Sequence, residues 1–245
     1  MAIHPSVPAL SNARASLVLV HGAWHGSWCW ERIVPLLERA GIAVATVDLP
    51  SVRPRNSSAG LEEDAAVVRA LMDRLRGPVI LCGHSYGGMV ISRAAAAPAR
   101  VAALVYLCAF VPRPGESLVA ASGNRAAPWI RLLEDGTTLP DRAQAAEVFY
   151  GDCDPETASW ALERLAPHNA VAFSEPVAQP AWLTIPSTYI VCTQDRAVPP
   201  DMQRTVFAPR AGHVLELATS HSPFLSQPKL LAETLAAVVA QRSGA

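Results

Sequence analysis

Residues 79–90 constrain the fold of this chain most, because they read VILCGHSYGGMV. The apolar run after Pro78 predicts a short buried strand, and residues 89–97 predict a helix that ends before Pro98. Between them lies a G-x-S-x-G pattern centred on Ser85, which in this context is typical of a nucleophile elbow. Glycines two residues before and after the serine relieve crowding in so sharp a turn. A plain glycine-rich turn with an incidental serine is the alternative.

Strand and helix patterns alternate around this stretch. Strands that alternate with helices predict an α/β fold with a mostly parallel sheet of about six strands and helices on both faces. In such a sheet the reactive loops gather at the carboxyl ends of the strands. The apolar runs that predict strands are 15–20, 42–49, 79–82, 101–108, 187–192 and 214–218. The helical patterns are 28–40, 61–76, 201–208 and 228–241.

The alternation breaks down over residues 112–186, where prolines are frequent. We interpret this segment as a helical lid inserted over the strand ends. Residues 1–111 and 187–245 then form the core, with residues 1–15 as a loosely held tail. The predicted helical pieces of the lid are 125–134, 141–150 and 155–166.

Ser85 needs an acid and a base to act as a nucleophile, and the chain offers both after it. Asp195 follows the strand 187–192, and His221 follows the last strand, so the order is nucleophile, acid, base. Asp195 could also serve only as a turn or helix-cap residue. Asp201 is its rival, whereas Asp48 precedes the serine and is better suited to a turn. The other histidines precede the serine, flank it, or lie in the lid or at the wrong end of the sheet: His4, His21, His25, His84, His168 and His213.

Two backbone amides are candidates for an oxyanion hole. The N–H of Tyr86 follows the serine directly, and the N–H of Ala23 lies in a glycine-bearing loop after the first strand. The alternative for the second loop is a plain strand-to-helix turn. Five rings are candidate pocket residues, although ordinary packing is the favoured role for each lid aromatic taken singly. They are His25, Trp129, Phe149, Trp160 and Phe224.

Charge and cysteine usage exclude several classes of function. The 245-residue chain has a net charge of −1 and a pI near 6.6, so it does not attract nucleic acid. Its five cysteines form no C-x-x-C pair, which argues against a metal site or a disulfide framework and favours a reducing cytosol. The N-terminal region lacks the apolar core of a signal peptide, and no stretch reaches membrane-spanning length.

The chain resembles the α/β-hydrolase superfamily. It is similar in particular to the branch that holds plant methyl esterases, hydroxynitrile lyases and small bacterial esterases. The resemblance implies that Ser85, Asp195 and His221 form a catalytic triad and that Ala23 and Tyr86 supply the oxyanion amides. The stretches that carry it are 17–28, 83–89 and 189–195.

Three positions separate the esterases of that branch from its lyases. The lyases tend to have threonine where this chain has Gly22, glutamate where it has His84, and lysine where it has Ser222. By the resemblance, all three positions here are esterase-like. Residues 220–223 and the lid depart from the plant pattern.

The sequence therefore predicts a cytoplasmic serine hydrolase that cleaves a small, largely apolar carboxylic ester through an acyl-enzyme on Ser85. We expect neither cofactor nor metal, and no nucleic-acid or membrane partner. A homodimer formed through the lid or a sheet edge is an open option. The alternatives are a hydroxynitrile-lyase-like carbon–carbon lyase and a non-catalytic receptor for a small ligand. Within hydrolysis, a thioesterase or lactonase uses the same acyl chemistry.

Overall fold

The computed structural model describes residues 15–53, 59–96, 100–124 and 126–243. The predicted tail lies outside these residues except for Ala15, and so does Pro98, the predicted stop of the helix after the elbow.

One six-stranded parallel sheet forms the centre of the fold. Its strands, in chain order, are β1 (Ser16–Val20), β2 (Ala43–Val47), β3 (Val79–His84), β4 (Val101–Leu107), β8 (Ser187–Cys192) and β9 (His213–Leu217). They lie side by side in the order β2-β1-β3-β4-β8-β9. Each paired strand is parallel to its neighbour, which confirms the predicted sheet.

The burial of each strand follows its place in the sheet. Every residue of β1, β3 and β8 is buried, because these strands have neighbours on both sides and helices above and below. The edge strands β2 and β9 are more exposed. Because all six strands are parallel, the loops after β3, β8 and β9 all leave the sheet at the carboxyl ends of the strands.

Among the described residues, four α-helices of the core flank the sheet: α1 (Val34–Arg39), α2 (Leu61–Arg74), α3 (Gly87–Ala94) and α10 (Pro228–Ser243). They pack as two pairs, α1 with α10 and α2 with α3. Since β2 and β3 lie on opposite sides of β1, right-handed crossovers place α1 and α2 on opposite faces.

The helix predicted over 28–40 is shorter than expected. A 3-10 turn covers Ser27–Trp30, and α1 begins only at Val34. A continuous helix would place Pro35 in its interior, where the ring clashes with the preceding turn. Starting at Val34 puts Pro35 in the first turn, where its missing N–H costs nothing.

Residues 112–186 form short helices around a small antiparallel sheet. The helices are α4 (Leu118–Ala121), α5 (Arg142–Tyr150), α6 (Pro155–Leu162) and α7 (Val171–Ser174). The strands are β5 (Ile130–Leu132), β6 (Thr137–Pro140) and β7 (His168–Asn169), in the order β5-β6-β7. The division into a core and an inserted lid stays a prediction.

The predicted helix over 125–134 was wrong, because the structure has a turn and then β5 there. Pro128 cannot continue a helix, and Gly136 has φ of +80°, which reverses the chain between β5 and β6. The Asp135 side chain accepts the N–H of Thr137 and so fixes this turn. Predictions for α5 and α6 were correct to within a few residues.

The C-terminal part adds α8 (Pro200–Met202), a π-helical turn (Gln203–Phe207), a 3-10 turn (Ala208–Arg210) and α9 (Pro223–Ser226). The helix predicted over 201–208 is therefore three short pieces. Within the described ranges, no helix combines the length and apolar character needed to cross a membrane.

Candidate active site

Ser85 lies at the tip of the turn that joins β3 to α3. Its φ of +52° is in the left-handed region, which strains a residue with a side chain. The two flanking glycines explain how the chain tolerates this turn. A Cβ at Gly83 would overlap the carbonyl of Gly87, and a Cβ at Gly87 would lie 2.5 Å from the oxygen of Val20. The turn therefore requires glycine at both positions, and Ser85 keeps 9% of its surface exposed.

Asp195 lies just past the end of β8 and is almost fully buried. Its Oδ1 accepts the N–H groups of Ala197 and Val198, at 2.7 and 2.9 Å. Its Oδ2 accepts Nε2–H of Gln203 at 2.9 Å and Nδ1–H of His221 at 2.7 Å. The carboxylate therefore organises its own turn and contacts the histidine as well. Its rival, Asp201, is exposed.

Gln203 was missed by the sequence reasoning. It sits in the π-helical turn and also bonds the backbone of β8, since its Oε1 accepts the N–H of Cys192 at 3.0 Å. A glutamine eight residues after a candidate acid gives no pattern of its own. A buried glutamine in an irregular helical segment becomes informative only once the three-dimensional contacts are known.

His221 follows β9 and is held on two sides. Its Nδ1–H is committed to Asp195, which leaves Nε2 free to accept a proton in the neutral tautomer. Its carbonyl accepts Nε2–H of His84 at 2.9 Å and the thiol of Cys108 at 3.5 Å. The rings of His84 and His221 have centroids 4.5 Å apart. Because His84 directly precedes Ser85, this contact brings His221 beside the elbow.

The two residues that carry the candidate oxyanion amides, Ala23 and Tyr86, line the same cavity as Ser85. Tyr86 directly precedes α3, and the first N–H groups of a helix have no partner within it. Across the part of the chain that the structure describes, neither N–H has an acceptor. Trp24 has φ of +62°, so the loop after β1 turns sharply at this point.

The cavity at Ser85 has a volume of about 100 Å³, and its walls are mostly apolar. Two of the predicted pocket residues, Trp129 and Phe149, line it. Phe173 lines it as well, and so does Trp24, which the sequence did not single out for this role. Other lining residues are Phe110, Leu118, Ser122, Ala127, Ile130, Ala197 and Val198.

The other three predicted pocket residues lie outside that lining. His25 donates Nδ1–H to the carbonyl of Ala23 at 2.8 Å and accepts the hydroxyl of Tyr150 at 2.9 Å. Burial lowers the pKa of His25 to about 3, so it is neutral and holds the loop that carries Ala23. Trp160 packs against Trp28, and Phe224 packs against Trp30 and His84.

The remaining candidates occupy structural positions. Asp48 accepts the N–H of Ser27 at 2.6 Å, a contact with the loop after β1, which lies 21 residues earlier in the chain, and it is not part of the triad geometry. His213 is exposed at the start of β9, far along the strand from His221. His4 lies outside the described residues.

One cluster has the residue types of a metal site. The ligand atoms of His84, Cys108 and His221 lie within 4.8 Å of one another, and all three residues are buried. Two of them already donate hydrogen bonds to the carbonyl of His221. Burial also raises the pKa of the Cys108 thiol well above its ordinary value, which disfavours the thiolate that binds metals. The cluster therefore serves to hold the His221 backbone.

Comparison with known proteins identifies the family of the chain. The chain is 32% identical over 240 residues to a pyrethroid hydrolase of Sphingobium wenxiniae, covering 90% of this chain and 86% of that protein. It is 27% identical over 253 residues to Methylesterase 1 of Arabidopsis thaliana, covering 88% and 92%. The crystal structure of a pyrethroid hydrolase from Sphingobium faniae superimposes with a TM-score of 0.80 at 29% identity, covering 92% of this chain and 98% of that one. Residues 17–234 match the model of the alpha/beta hydrolase family, and the chain belongs to that family.

Proposed function

We propose that this protein is a cofactor-free serine ester hydrolase that cleaves a small, largely apolar carboxylic ester. The observation that carries the proposal is the 2.7 Å hydrogen bond between Asp195 and His221, beside a serine on a strained turn at an apolar cavity. The relatives named as a pyrethroid hydrolase and a methylesterase support ester hydrolysis as the reaction.

In the first half of the reaction, Nε2 of His221 takes the proton of Ser85 while Oγ attacks the carbonyl carbon of the ester. The carbonyl π electrons move onto oxygen, and the N–H groups of Ala23 and Tyr86 stabilise that oxyanion. The tetrahedral intermediate collapses to an acyl-enzyme. His221 then gives its proton to the departing alkoxide, which leaves as the alcohol.

In the second half, His221 deprotonates a water that attacks the acyl carbon, and Ser85 leaves with the returned proton. Asp195 keeps the imidazole in the tautomer with hydrogen on Nδ1 and stabilises the imidazolium that forms twice per turnover. The four protein donors to its two oxygens keep this carboxylate in place. Loss of one oxyanion donor typically lowers kcat by about 10²–10³-fold, so the two amides contribute strongly to the rate.

The cavity suggests the kind of ester. Trp24, Trp129, Phe149 and Phe173 give the cavity an aromatic wall, and its hydroxyl-bearing lining residues are Ser85, Tyr86 and Ser122. Such a wall favours an apolar acyl or alcohol group through burial of its surface. We propose that the segment 112–186 acts as the lid, since it supplies Trp129, Phe149 and Phe173 to this wall.

The surroundings of Gly22 argue against the lyase alternative. A Cβ at Gly22 would lie 2.8 Å from Nδ1 of His84 and 2.9 Å from Cβ of Ser85. The threonine of the lyases therefore does not fit beside this His84. Ser222 is fully buried, so the lyases' lysine would place a charge in a closed space.

We further propose a cytoplasmic location, because all five cysteines are free and four of them are buried. Pairing of two copies stays an option to be tested by solution mass.

The test is hydrolysis of p-nitrophenyl esters of increasing acyl length by the wild type, Ser85→Ala and a control, Ser159→Ala. Ser159 is exposed on α6, away from the cavity lining. We expect Ser85→Ala to lose turnover and labelling by a fluorophosphonate probe, while Ser159→Ala keeps both. Equal, slow hydrolysis by all three proteins would contradict the proposal. Ligand affinity without turnover would then favour the receptor, and cyanide release from a hydroxynitrile would favour the lyase.

A further inference from the structure

Asp64, on α2, is a buried carboxylate that the proposed mechanism does not use. Its side chain is fully inaccessible to solvent, and no ion pair neutralises it within the described residues. Burial raises its pKa to about 6, against the opposing effect of three hydrogen bonds. A buried, unpaired acid is costly, so its retention calls for an explanation.

The donors around Asp64 all point toward it. Its Oδ1 accepts the N–H of Ser51 at 2.9 Å. Its Oδ2 accepts the hydroxyls of Ser51 at 2.5 Å and of Tyr86 at 2.7 Å. An ionised carboxylate only accepts hydrogen bonds, so this arrangement matches the charged form.

The chain of hydrogen bonds continues from Ser51 to the loop after β1. Nε2 of His168 lies 2.8 Å from Oγ of Ser51, and Nδ1 of His168 faces the N–H of Trp24 at 3.4 Å. Burial keeps the pKa of His168 well below its ordinary value, so the ring is neutral. Since Nδ1 accepts from Trp24, Nε2 carries the hydrogen and donates to Ser51. Ser51 in turn gives its own hydrogen to Asp64.

The two ends of this network lie next to the two proposed oxyanion amides. Tyr86 carries one of these amides on its own backbone, and Trp24 directly follows Ala23, which carries the other. The rings of Tyr86 and His168 also meet edge to face at 4.8 Å, and both pack on Phe173. One carboxylate thus receives hydrogen bonds, direct or relayed, from both loops that line the cavity at Ser85.

We propose that Asp64 is a positioning residue that fixes the distance between the Tyr86 and Ala23 amides. This inference rests on the proposed function, since it presupposes an oxyanion between those two amides. The amides come from loops that follow different strands, β3 and β1. A shared hydrogen-bond acceptor is needed to fix the two loops relative to one another. Misplacement of a reacting group by about 1 Å can cost about 10²-fold in rate, so this anchoring affects catalysis directly.

The test compares wild type with Asp64→Asn and with Tyr86→Phe, which removes only the hydroxyl that reaches Asp64. The matched control is Tyr106→Phe, because Tyr106 is also fully buried and its hydroxyl lies 2.8 Å from Oγ of Ser92, away from Asp64. A fluorophosphonate titration counts the folded active sites, so every kcat is expressed per reactive serine. A trifluoromethyl ketone then serves as the probe, because its adduct with Ser85 places an oxyanion between the two amides.

We expect Asp64→Asn to lower kcat per site by about 10- to 100-fold with KM changed less than about threefold, because the amides act mainly on the transition state. Affinity for the trifluoromethyl ketone should fall in proportion to kcat/KM. Tyr86→Phe should lower kcat by about fivefold, and the double variant should be slower by less than the product of the single effects, since both act on one network. Tyr106→Phe should match wild type.

Each other outcome overturns the inference. Unchanged kcat per site and unchanged ketone affinity in Asp64→Asn would show that Asp64 only supports the fold. If that variant has no titratable sites, Tyr86→Phe decides, and wild-type kcat in it would contradict the positioning role. Failure of the proposed function is separate, because it would appear as wild-type turnover in Ser85→Ala.

Discussion

Asp195 and Asp64 are both buried carboxylates near one cavity, and they differ in the groups that hold them. Asp195 receives two backbone amides, a side-chain amide and the imidazole of His221. Asp64 receives one backbone amide and two hydroxyls. Hydroxyls rotate and can reverse their hydrogen bonds, whereas amides cannot. Asp195 is therefore held mainly by donors that cannot reverse, whereas Asp64 is held mainly by hydroxyls that are easier to perturb.

The largest expected effect comes from Asp195→Asn. The amide removes the charge that stabilises the imidazolium and favours the wrong tautomer of His221, so we expect kcat to fall by about 10⁴-fold. Steady-state kinetics, normalised by fluorophosphonate titration, would measure it alongside Asp64→Asn. A loss equal to that of Asp64→Asn would remove the distinction between the two carboxylates.

The second prediction concerns the pH dependence of stability. Burial raises the pKa of Asp64 from 3.8 to about 6 in the folded state. Proton binding by Asp64 therefore makes its full contribution to the free energy of unfolding below pH 4, and this contribution is lost as the pH rises to 6. Glu63 is the charged neighbour that adds to the rise. Between pH 4 and 7, the free energy of unfolding of Asp64→Asn should therefore gain roughly 3 kcal/mol relative to wild type. Urea unfolding at several pH values would measure this difference, and a constant difference would contradict it.

The smallest expected effects come from changing one hydrogen-bond partner of each carboxylate, Gln203 for Asp195 and Ser51 for Asp64. Gln203→Leu removes the amide that contacts Asp195, Cys192 and Val198, so we expect kcat to fall by roughly tenfold and the free energy of unfolding by about 1–3 kcal/mol. Ser51→Ala removes one hydroxyl from Asp64 and breaks the relay to His168. If Gln203→Leu affected stability alone, the histidine contact would be sufficient to hold Asp195.

Much of the fold could be predicted because its signals are local. Six apolar runs predicted six strands, and the elbow could be located because strand, glycines, serine and helix are contiguous. Ser85, Asp195 and His221 could be named as candidates because parallel strands bring their following loops to one edge. The helix predicted over 125–134 was wrong because a proline within this stretch cannot continue a helix and a glycine just after it reverses the chain.

The network of Asp64 was missed, although one signal was present. Leu61, Val68 and Met72 mark the buried face of α2, and Asp64 falls on that face at helical spacing. A charged residue there indicates a buried polar partner. The partners Ser51, Tyr86 and His168 could not be derived, because their contacts join segments that are 13 to 117 residues apart in the chain.

The position of His221 after the edge strand has a consequence for the order of assembly. Ser85 follows β3, near the middle of the sheet, whereas Asp195 and His221 follow β8 and β9, the last two strands in the chain. The carbonyl of His221 meets His84 and Cys108 only when those strands have docked. During synthesis Ser85 is made before Asp195 and His221. We therefore expect a reactive Ser85 to appear only when the sheet is complete.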